Sequence, residues 1–257
     1  MQTYPAEAKL KITYEPTAKW LRVMFGGQII ADSKAVYLML PGGPPFYYFP
    51  KADVRMDLLQ QNDHSEETPR LGKAIFWDIK SGDKSVSNAA WTYPGVVSQE
   101  IDLKDYITFD WNKMDAWFEE AEQVYVHAHD PYKRIDVLQS TRHVVVIVGG
   151  EKVAESNRPT LLFETGLPTR YYLPKLDVRM DLLVPTDSVT GCAYKGKANY
   201  YSVKMGGKTI RDIAWYYSYP TTEVSKIAGL ISFYNERVDK IIVDGAEQPK
   251  PRTRWSE

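Results

Sequence analysis

The sequence predicts a mainly β protein with minor helix, made of two tandem homologous small antiparallel β domains related by pseudo-symmetry. Three observations lead to this prediction. One segment recurs within the chain, the aromatic content is high, and pairs of glycines interrupt runs of residues that favour strands. Aromatic and β-branched side chains fit the pleated, half-buried surface of a sheet.

The recurrent segment is long and keeps a constant spacing. Val54–Leu59 returns residue for residue as Val178–Leu183. The same separation relates further pairs on both sides, namely Tyr47-Tyr48 with Tyr171-Tyr172, Gly72-Lys73-Ala74 with Gly196-Lys197-Ala198, Ala90-Trp91 with Ala214-Trp215, and Phe109 with Phe233. The period is longer than that of a solenoid repeat. We therefore interpret it as a whole domain copied in tandem, each copy with its own core.

Composition fits this architecture. A chain of 257 residues has room for two domains of ordinary size. The proportions of apolar residues (44%) and charged residues (25%) are typical of a soluble globular protein. The 18 tyrosines and 7 tryptophans suit strands, and clustered aromatic rings with one polar group also line ligand pockets.

Charge and patterning argue against several classes of partner. A formal net charge of −1 gives no reason to expect binding to nucleic acid or to an anionic membrane. No apolar run approaches the ~20 residues that span a bilayer, and Met1–Pro5 lacks the features of a secretory signal. The single Cys192 excludes an internal disulfide and a thiolate zinc cluster. We expect a cytoplasmic protein without metal or cofactor, and the sequence leaves its oligomeric state open.

Each copy opens with a predicted hairpin. In the first copy, two β-rich runs flank Gly26-Gly27, and in the second they flank Gly149-Gly150. Glycine pairs suit a tight turn with positive φ. A phosphate-binding loop is not indicated, because no Walker pattern is present and no helix pattern follows.

The next elements are a strand around each Tyr-Tyr pair, ended by Pro50 or Pro174, and then the recurrent hexapeptide. As a strand, the hexapeptide would put Arg and Asp on one face, and as a short helix it would bring Val and Leu together. The preceding proline favours a helical turn.

A second hairpin is predicted from Gly72 to Val86 and from Gly196 to Ile210, followed by the strands of Trp91 and Trp215. The last element is ambiguous. Residues 115–122 favour a helix, whereas the equivalent residues 239–243 favour a strand. Because repeats share structure, one of these two predictions must be wrong.

These patterns divide the chain into four parts. We expect a first, more degenerate repeat domain at 1–123, an ordered junction at 124–142, a second repeat domain at 143–247, and an extended or disordered tail at 248–257.

The chain resembles, over its whole length, the two-copy form of the domain of unknown function 427 family, which is also labelled nucleotidyltransferase-like. The matching stretches are 163–174, both Asp-Val-Arg-Met-Asp-Leu-Leu segments, Tyr194-Lys195-Gly196, and 127–142. The resemblance implies a compact, mostly β domain and no agreed reaction. We consider nucleotidyl transfer unlikely, because the chain lacks the paired carboxylates that hold metal ions on phosphates.

The two copies depart from the family pattern to different degrees. The family's Cys-Pro-Tyr-Lys-Gly becomes Cys192-Ala193-Tyr194-Lys195-Gly196 in the second copy, whereas the first copy, with residues 68–72, has lost Cys, Tyr and Lys. The resemblance thus implies that the second copy is the better equipped for chemistry.

The first candidate site residues are Arg179 and Asp181, with Arg55 and Asp57 in the other copy. An arginine can clamp an anion, and a neighbouring carboxylate can act as a base. The alternative is an ion pair that fixes the fold, and the presence of the pair in both copies favours it.

Tyr194 and Lys195 are candidates for proton transfer or anion stabilisation. Lys195 could also lower the pKa of Cys192. The alternative for Cys192 is a small buried residue beside a turn.

The junction contributes His127, Asp130 and Arg134. On a strand, His127 and His129 would point to the same side and could bind a metal ion with a carboxylate. Relatives often carry arginine in place of His129, so we favour His127 as a general acid or base instead. Trp91 and Trp215 could wall a pocket, or could equally be core residues.

Two functions remain open at this stage. The leading hypothesis is binding of a small polar or aromatic metabolite, with acid–base catalysis left open. The alternative is a protein-interaction or scaffold module without a small ligand. An enclosed pocket would favour the first hypothesis, and an exposed apolar patch would favour the second.

Overall fold

The computed structural model describes residues 11–256. The first ten residues, which include Met1–Pro5, and Glu257 lie outside the described part. The prediction of a mainly β fold is confirmed, because the described chain folds into four antiparallel sheets. None of its helical segments is long and apolar enough to cross a membrane.

The described residues form two compact units, one within 11–130 and the other within 131–256. We call them the first and second copies. The boundary lies between Asp130 and Pro131, inside the segment that we expected to be a junction. Ala128 is buried in the core of the first copy, and Val137 is buried in the second, so each half of this segment belongs to its own unit.

The first copy contains eleven strands: β1 (Thr13–Pro16), β2 (Leu21–Phe25), β3 (Gln28–Ser33), β4 (Tyr37–Leu40), β5 (Phe46–Pro50), β6 (Leu59–Thr68), β7 (Gly72–Ser81), β8 (Lys84–Thr92), β9 (Tyr106–Phe109), β10 (Ala116–Glu119) and β11 (Glu122–Val124). The seven-stranded sheet has the order β1-β4-β5-β9-β8-β7-β6, and the four-stranded sheet has the order β11-β10-β2-β3.

The second copy repeats this arrangement with β12 (Ile135–Gln139), β13 (Val144–Val148), β14 (Glu151–Ser156), β15 (Thr160–Glu164), β16 (Arg170–Leu173), β17 (Leu183–Cys192), β18 (Gly196–Met205), β19 (Lys208–Tyr217), β20 (Ile231–Phe233), β21 (Lys240–Val243) and β22 (Ala246–Glu247). Its seven-stranded sheet has the order β12-β15-β16-β20-β19-β18-β17, and its four-stranded sheet has the order β14-β13-β21-β22.

Helical structure is limited to short 3₁₀ segments. They are Lys51–Asp53, Met56–Leu58, Leu103–Asp105, Trp111–Lys113, Lys175–Asp177, Met180–Leu182 and Thr222–Ile227. The helical turn expected after each proline is present, but as two successive 3₁₀ turns rather than an α-helix. The turns place Val54 and Val178 in the cores and leave the Arg and Asp of each hexapeptide exposed.

Each copy has an apolar core between its two sheets. In the second copy, Val146 and Ile241 from the small sheet pack with Leu173 and Phe233 from the large one. Alternate residues of the large sheet point to the opposite side, as the period of a strand requires. We call this second side the outer face, and in the second copy it carries Tyr172, Tyr200, Trp215 and Tyr217.

The glycine pairs form the predicted hairpin turns. Gly26 and Gly27 have φ values of 59° and 73°, and Gly149 and Gly150 have values of 59° and 82°. Residues with a Cβ adopt this left-handed region at a cost, which explains why the turns need glycine.

The helix that we predicted at 115–122 is wrong. Ala116–Glu119 forms β10, in which Trp117 pairs with Val23 and is buried. The strand predicted at 239–243 is present as β21. Tertiary pairing with β2 therefore outweighs the local helical preference of the glutamate-rich segment.

The tail after β22 has no regular strand or helix up to residue 256. It nevertheless makes specific contacts. The Thr253 hydroxyl donates a hydrogen bond to Glu236, and the guanidinium of Arg170 lies over the ring of Trp255 at 5.4 Å.

Candidate functional site

Charged side chains collect on the outer face of the large sheet in the second copy. This is unusual, because isolated charges lose hydration when they are buried and need partners. Two groups of charges lie there, at the ends of β15 and β16, beside the aromatic residues of the same face.

The first group, which we call the lysine–glutamate cluster, consists of Lys133, Glu164 and Lys195. The ammonium of Lys195 donates a hydrogen bond to Oε2 of Glu164, and Nζ of Lys133 lies 3.9 Å from Oε1 of the same carboxylate. Exposure falls from 28% for the Lys133 side chain to 12% for Lys195 and 6% for Glu164. Two cations therefore share one carboxylate in a largely dehydrated place, with Lys133 the most accessible to solvent.

Lys195 stands in a tight turn between β17 and β18 that is fixed by hydrogen bonds. Its amide donates to the carbonyl of Cys192, and its own carbonyl accepts from the amide of Thr221. The Thr221 hydroxyl donates to the carbonyl of Tyr194 at 2.7 Å. Gly196 ends the turn with φ of 92°, and a Cβ there would lie 3.1 Å from the carbonyl oxygen of Tyr219. These bonds hold the backbone of Lys195 in place.

The second group is the ion pair of Arg170 and Glu236. The guanidinium donates two hydrogen bonds of 2.7 Å to the two carboxylate oxygens, and both side chains are almost fully buried. Burial alone would raise the pKa of Glu236. The hydrogen bonds and charge of Arg170 outweigh that effect, so the pKa lies below its ordinary value.

Aromatic side chains surround these charges. The indole Nε1 of Trp215 donates to the hydroxyl of Tyr172 at 3.1 Å. Burial raises the pKa of Tyr172 and of Tyr217, and the nearby Glu164 raises both further. Both phenols are therefore neutral across the physiological range, and in that form each can donate a hydrogen bond.

A family model described as a domain of unknown function (DUF427) matches the chain twice, over residues 13–120 and residues 136–244. The chain belongs to the DUF427 family. No curated protein matches the chain. The family description names no reaction, so the chemistry must be inferred from the two DUF427 copies themselves.

The two DUF427 copies differ at the charged positions. Strand pairing and loop length align Arg170 with Phe46, Lys195 with Leu71, Glu236 with Asn112 and Glu164 with Pro41. At an aromatic position, Tyr200 aligns with Phe76. Three of the aromatic positions are retained, as Tyr48, Trp91 and Tyr93. The first copy therefore keeps the aromatic part of the outer face and has no charged residue at these aligned positions, while its Arg70 donates a hydrogen bond to the backbone carbonyl of Pro41 instead.

Sequence reasoning identified only part of this arrangement. It selected Lys195 and Trp215, which the structure places on one face of one copy, and it missed Glu164, Arg170 and Glu236. The only signal in the sequence for the missed residues was the difference between aligned positions of the two copies.

The exposed candidates lie elsewhere in each DUF427 copy. Arg179 forms a bidentate pair with Asp181, and Arg55 forms the same pair with Asp57, with every one of these side chains more than half exposed. Hydrogen bonding to the arginine holds the pKa of both aspartates below the usual value. Each guanidinium thus already has an anionic partner.

The junction candidates do not lie on a strand. Residues 125–134 are irregular, so the strand geometry that would align His127 with His129 is absent. Nδ1 of His127 lies 2.7 Å from the carbonyl oxygen of Ala128. Asp130 belongs to the first copy, whereas Arg134 belongs to the second and pairs with Asp136.

The described residues include no group of three His, Cys, Asp or Glu side chains that could hold a metal ion. Trp91 is half-buried on the outer face of the first copy, against Phe46 and Phe76. Cys192 is a free, half-buried cysteine at the end of β17.

Proposed function

We propose that the second copy binds a small metabolite that carries a carboxylate, and that the lysine–glutamate cluster is the binding group. The observation that supports this proposal is the difference between the copies. The first copy forms the same sheet and the same aromatic face with Pro41, Phe46 and Leu71 at the charged positions.

The fold therefore does not require the charges. Dehydrating an ion costs several kcal/mol, and apolar residues of similar size often give equal or better stability than a buried ion pair. A cluster that is dispensable for folding and costly to bury is better explained by recognition than by stability.

The balance of charge indicates the sign of the ligand. Lys133 and Lys195 carry two positive charges, and Glu164 supplies one negative charge between them. A ligand carboxylate beside the more accessible Lys133 would neutralise the remaining charge, and an ammonium–carboxylate hydrogen bond is among the stronger contacts available.

The neighbouring side chains favour a ligand with an aromatic or planar part. Tyr172, Trp215 and Tyr217 form a buried aromatic layer next to the cluster, and the hydroxyl groups of the two tyrosines are neutral. In this arrangement Lys195 is the group that would pass a proton to or from a bound ligand, because it is already hydrogen-bonded to a carboxylate.

The test uses benzoate as the probe, with protein NMR titration of the full chain. We expect benzoate to shift the amide signals of the turn at residues 192–196, and we expect Lys195→Leu, which copies the first repeat, to weaken binding at least about tenfold. The matched control is Arg179→Ala, which removes an exposed cation from the same copy and should leave the affinity unchanged.

Native mass spectrometry of freshly purified protein complements the titration. A small molecule that is released on denaturation of the wild type, and is absent from Lys195→Leu, supports the proposal. Benzoate shifts that are absent, or that are equal in the wild type and Lys195→Leu, would contradict it and would favour the alternative of a protein-interaction module.

A further inference from the structure

A cleft in the second copy lies away from the lysine–glutamate cluster. It is open, has a volume of about 720 Å³, and is lined by Gln139, Ser140, Thr141, Arg158, Thr160, Pro174, Lys226 and Leu230. This volume is in the range of small-molecule sites. None of the residues of the proposed carboxylate site lines it, so the two sites can be tested separately.

In the first copy, two tyrosines occupy positions that line this cleft in the second copy. Strand pairing aligns Thr160 with Tyr37, since each is paired with the second tyrosine of a Tyr-Tyr segment. It likewise aligns Leu230 with Tyr106. The rings of Tyr37 and Tyr106 pack edge to face at 5.6 Å. The second copy thus opens a cleft where the first copy has two packed tyrosines.

The cleft is lined by donors. Arg158 and Lys226 supply positive charge, Ser140, Thr141 and Thr160 supply hydroxyl groups, and the lining includes no carboxylate residue. Its bottom is a β-sheet rather than a flexible loop, because Thr160 is buried and lies within β15. Alignment puts Ala35 of the first copy in the place of Arg158, so the charge and the space occur together in one copy.

The arrangement of these donors suits a phosphate better than a carboxylate. Nε and Nη2 of Arg158 already bind Asp177, which occupies the edge of the guanidinium that would pair with a planar carboxylate. Nη1 of Arg158 makes no hydrogen bond to a described residue, and Lys226 makes a long one of 3.3 Å to the carbonyl of Val137. The remaining donors are one guanidinium nitrogen, one ammonium and the hydroxyl groups, each of which can bind a single oxygen of a phosphate.

We propose that this cleft is a second binding site, specific to the second copy, for a small organic phosphate. The phosphate group of the ligand would lie between Lys226, Nη1 of Arg158 and the hydroxyl groups of the cleft. The organic part of the ligand would lie along Leu230 and Pro174. The volume of the cleft is larger than an inorganic phosphate ion. We therefore expect the ligand to be a phosphate ester with an organic part.

The experiment uses phenyl phosphate as the probe and isothermal titration calorimetry of the full chain at low and high salt. Lys226→Gln should weaken binding at least about tenfold, which corresponds to about 1.4 kcal/mol, and should reduce the salt dependence. The double variant Thr160→Tyr/Leu230→Tyr, which transfers the tyrosine pair of the first copy, should abolish binding.

Two controls separate this site from the proposed function and from misfolding. Lys195→Leu should leave phenyl phosphate binding unchanged, and the tyrosine double variant should leave the benzoate shifts unchanged, because an unfolded second copy would lose both. Lys226→Gln keeps the size of the side chain and does not disturb the core. Absence of phenyl phosphate binding by the wild type, or affinity that survives both Lys226→Gln and the tyrosine double variant, would overturn the proposal.

Discussion

Arg170, in β16, and Glu236, in the turn between β20 and β21, form a bidentate ion pair with Nη1–Oε2 and Nη2–Oε1 distances of 2.7 Å. The Glu236 side chain has no exposed surface, and that of Arg170 is 8% exposed. The guanidinium also lies within 6 Å of the ring centres of Trp215, Tyr234 and Trp255. The corresponding residues of the first copy are Phe46 and Asn112, so the chain contains its own charge-free reference for this pair.

Removing one partner of the pair should destabilise the second copy strongly. We expect Arg170→Phe to lower the free energy of unfolding by about 3–5 kcal/mol, because Glu236 would remain buried without its cation. Arg170→Phe/Glu236→Asn, which copies the first repeat, should recover most of that loss. Urea denaturation of the two single variants and the double variant measures the coupling. Additive losses would show that the pair does not act as a unit.

The pair should also make stability depend on pH. The pKa of Glu236 is lower in the folded protein than in the unfolded chain, so the folded state binds fewer protons and stability rises with pH. The contribution is complete above the ordinary glutamate pKa of about 4.3 and is lost as the pH falls through the folded value. Urea midpoints should therefore differ more between the wild type and Glu236→Gln at neutral pH than in acid. A difference that is constant with pH would contradict this assignment.

Gly196 should tolerate a side chain less well than Gly207. Both have positive φ, but a Cβ at Gly196 would lie 3.1 Å from the Tyr219 carbonyl oxygen, and a Cβ at Gly207 would meet nothing within 4 Å. We expect Gly196→Ala to lose at least about 1 kcal/mol more than Gly207→Ala in urea denaturation. The amide of Thr221, which donates to Lys195, should then exchange faster in Gly196→Ala alone. Equal losses would show that the contact at Gly196 is relieved without cost.

The exposed arginines should matter little for stability. Arg55 and Arg179 make the same bidentate contact in the two copies, and more than half of each side chain is in solvent. Exposed ion pairs contribute little to stability, because water and salt screen both charges. Arg55→Ala and Arg179→Ala should therefore give small and equal changes in urea midpoint. A large loss in either variant would assign these pairs a role in holding the fold.

The sequence predicts the fold well because the copies constrain each other. Residues 115–122 alone favour a helix, but their counterparts at 239–243 favour a strand, and the structure has strands in both copies. Local preference cannot include the pairing of Trp117 with Val23, which lies far away in the chain. Comparing residues 115–122 with residues 239–243 indicates a strand in both copies, which the local preference of residues 115–122 alone does not.

The candidate site is less predictable, because its charges are brought together only by the fold. Arg170 and Glu236 are separated by most of the second copy, and neither belongs to a recognisable motif. Lys195 was found through its family motif, whereas its partner Glu164 looks like an ordinary exposed charge at the end of a strand. A difference between aligned positions of the two copies, such as Leu71 and Lys195, identifies a candidate site residue only once the shared fold shows which positions are equivalent.

The C-terminal tail contacts the Arg170–Glu236 pair. The tail lies beyond the segment that matches the family model, because that segment ends at residue 244. The Thr253 hydroxyl donates to Oε1 of Glu236 at 2.7 Å. A hydrogen bond to a charged group contributes about 1.5–3 kcal/mol, so Thr253→Val should lower the free energy of unfolding by about that amount. Thr209→Val, at an exposed position of β19, is the matched control and should be neutral.

The Arg170→Phe/Glu236→Asn variant tests whether Thr253 stabilises the protein through Glu236. In Arg170→Phe/Glu236→Asn the hydroxyl of Thr253 has no carboxylate to bind, so adding Thr253→Val should change the urea midpoint little. A loss as large in this background as in the wild type would mean that Thr253 acts through the backbone of the tail rather than through Glu236. A loss confined to the wild-type background would show that the tail helps to keep the buried carboxylate ionised. The charges of the second copy would then depend on a segment beyond its repeated domain.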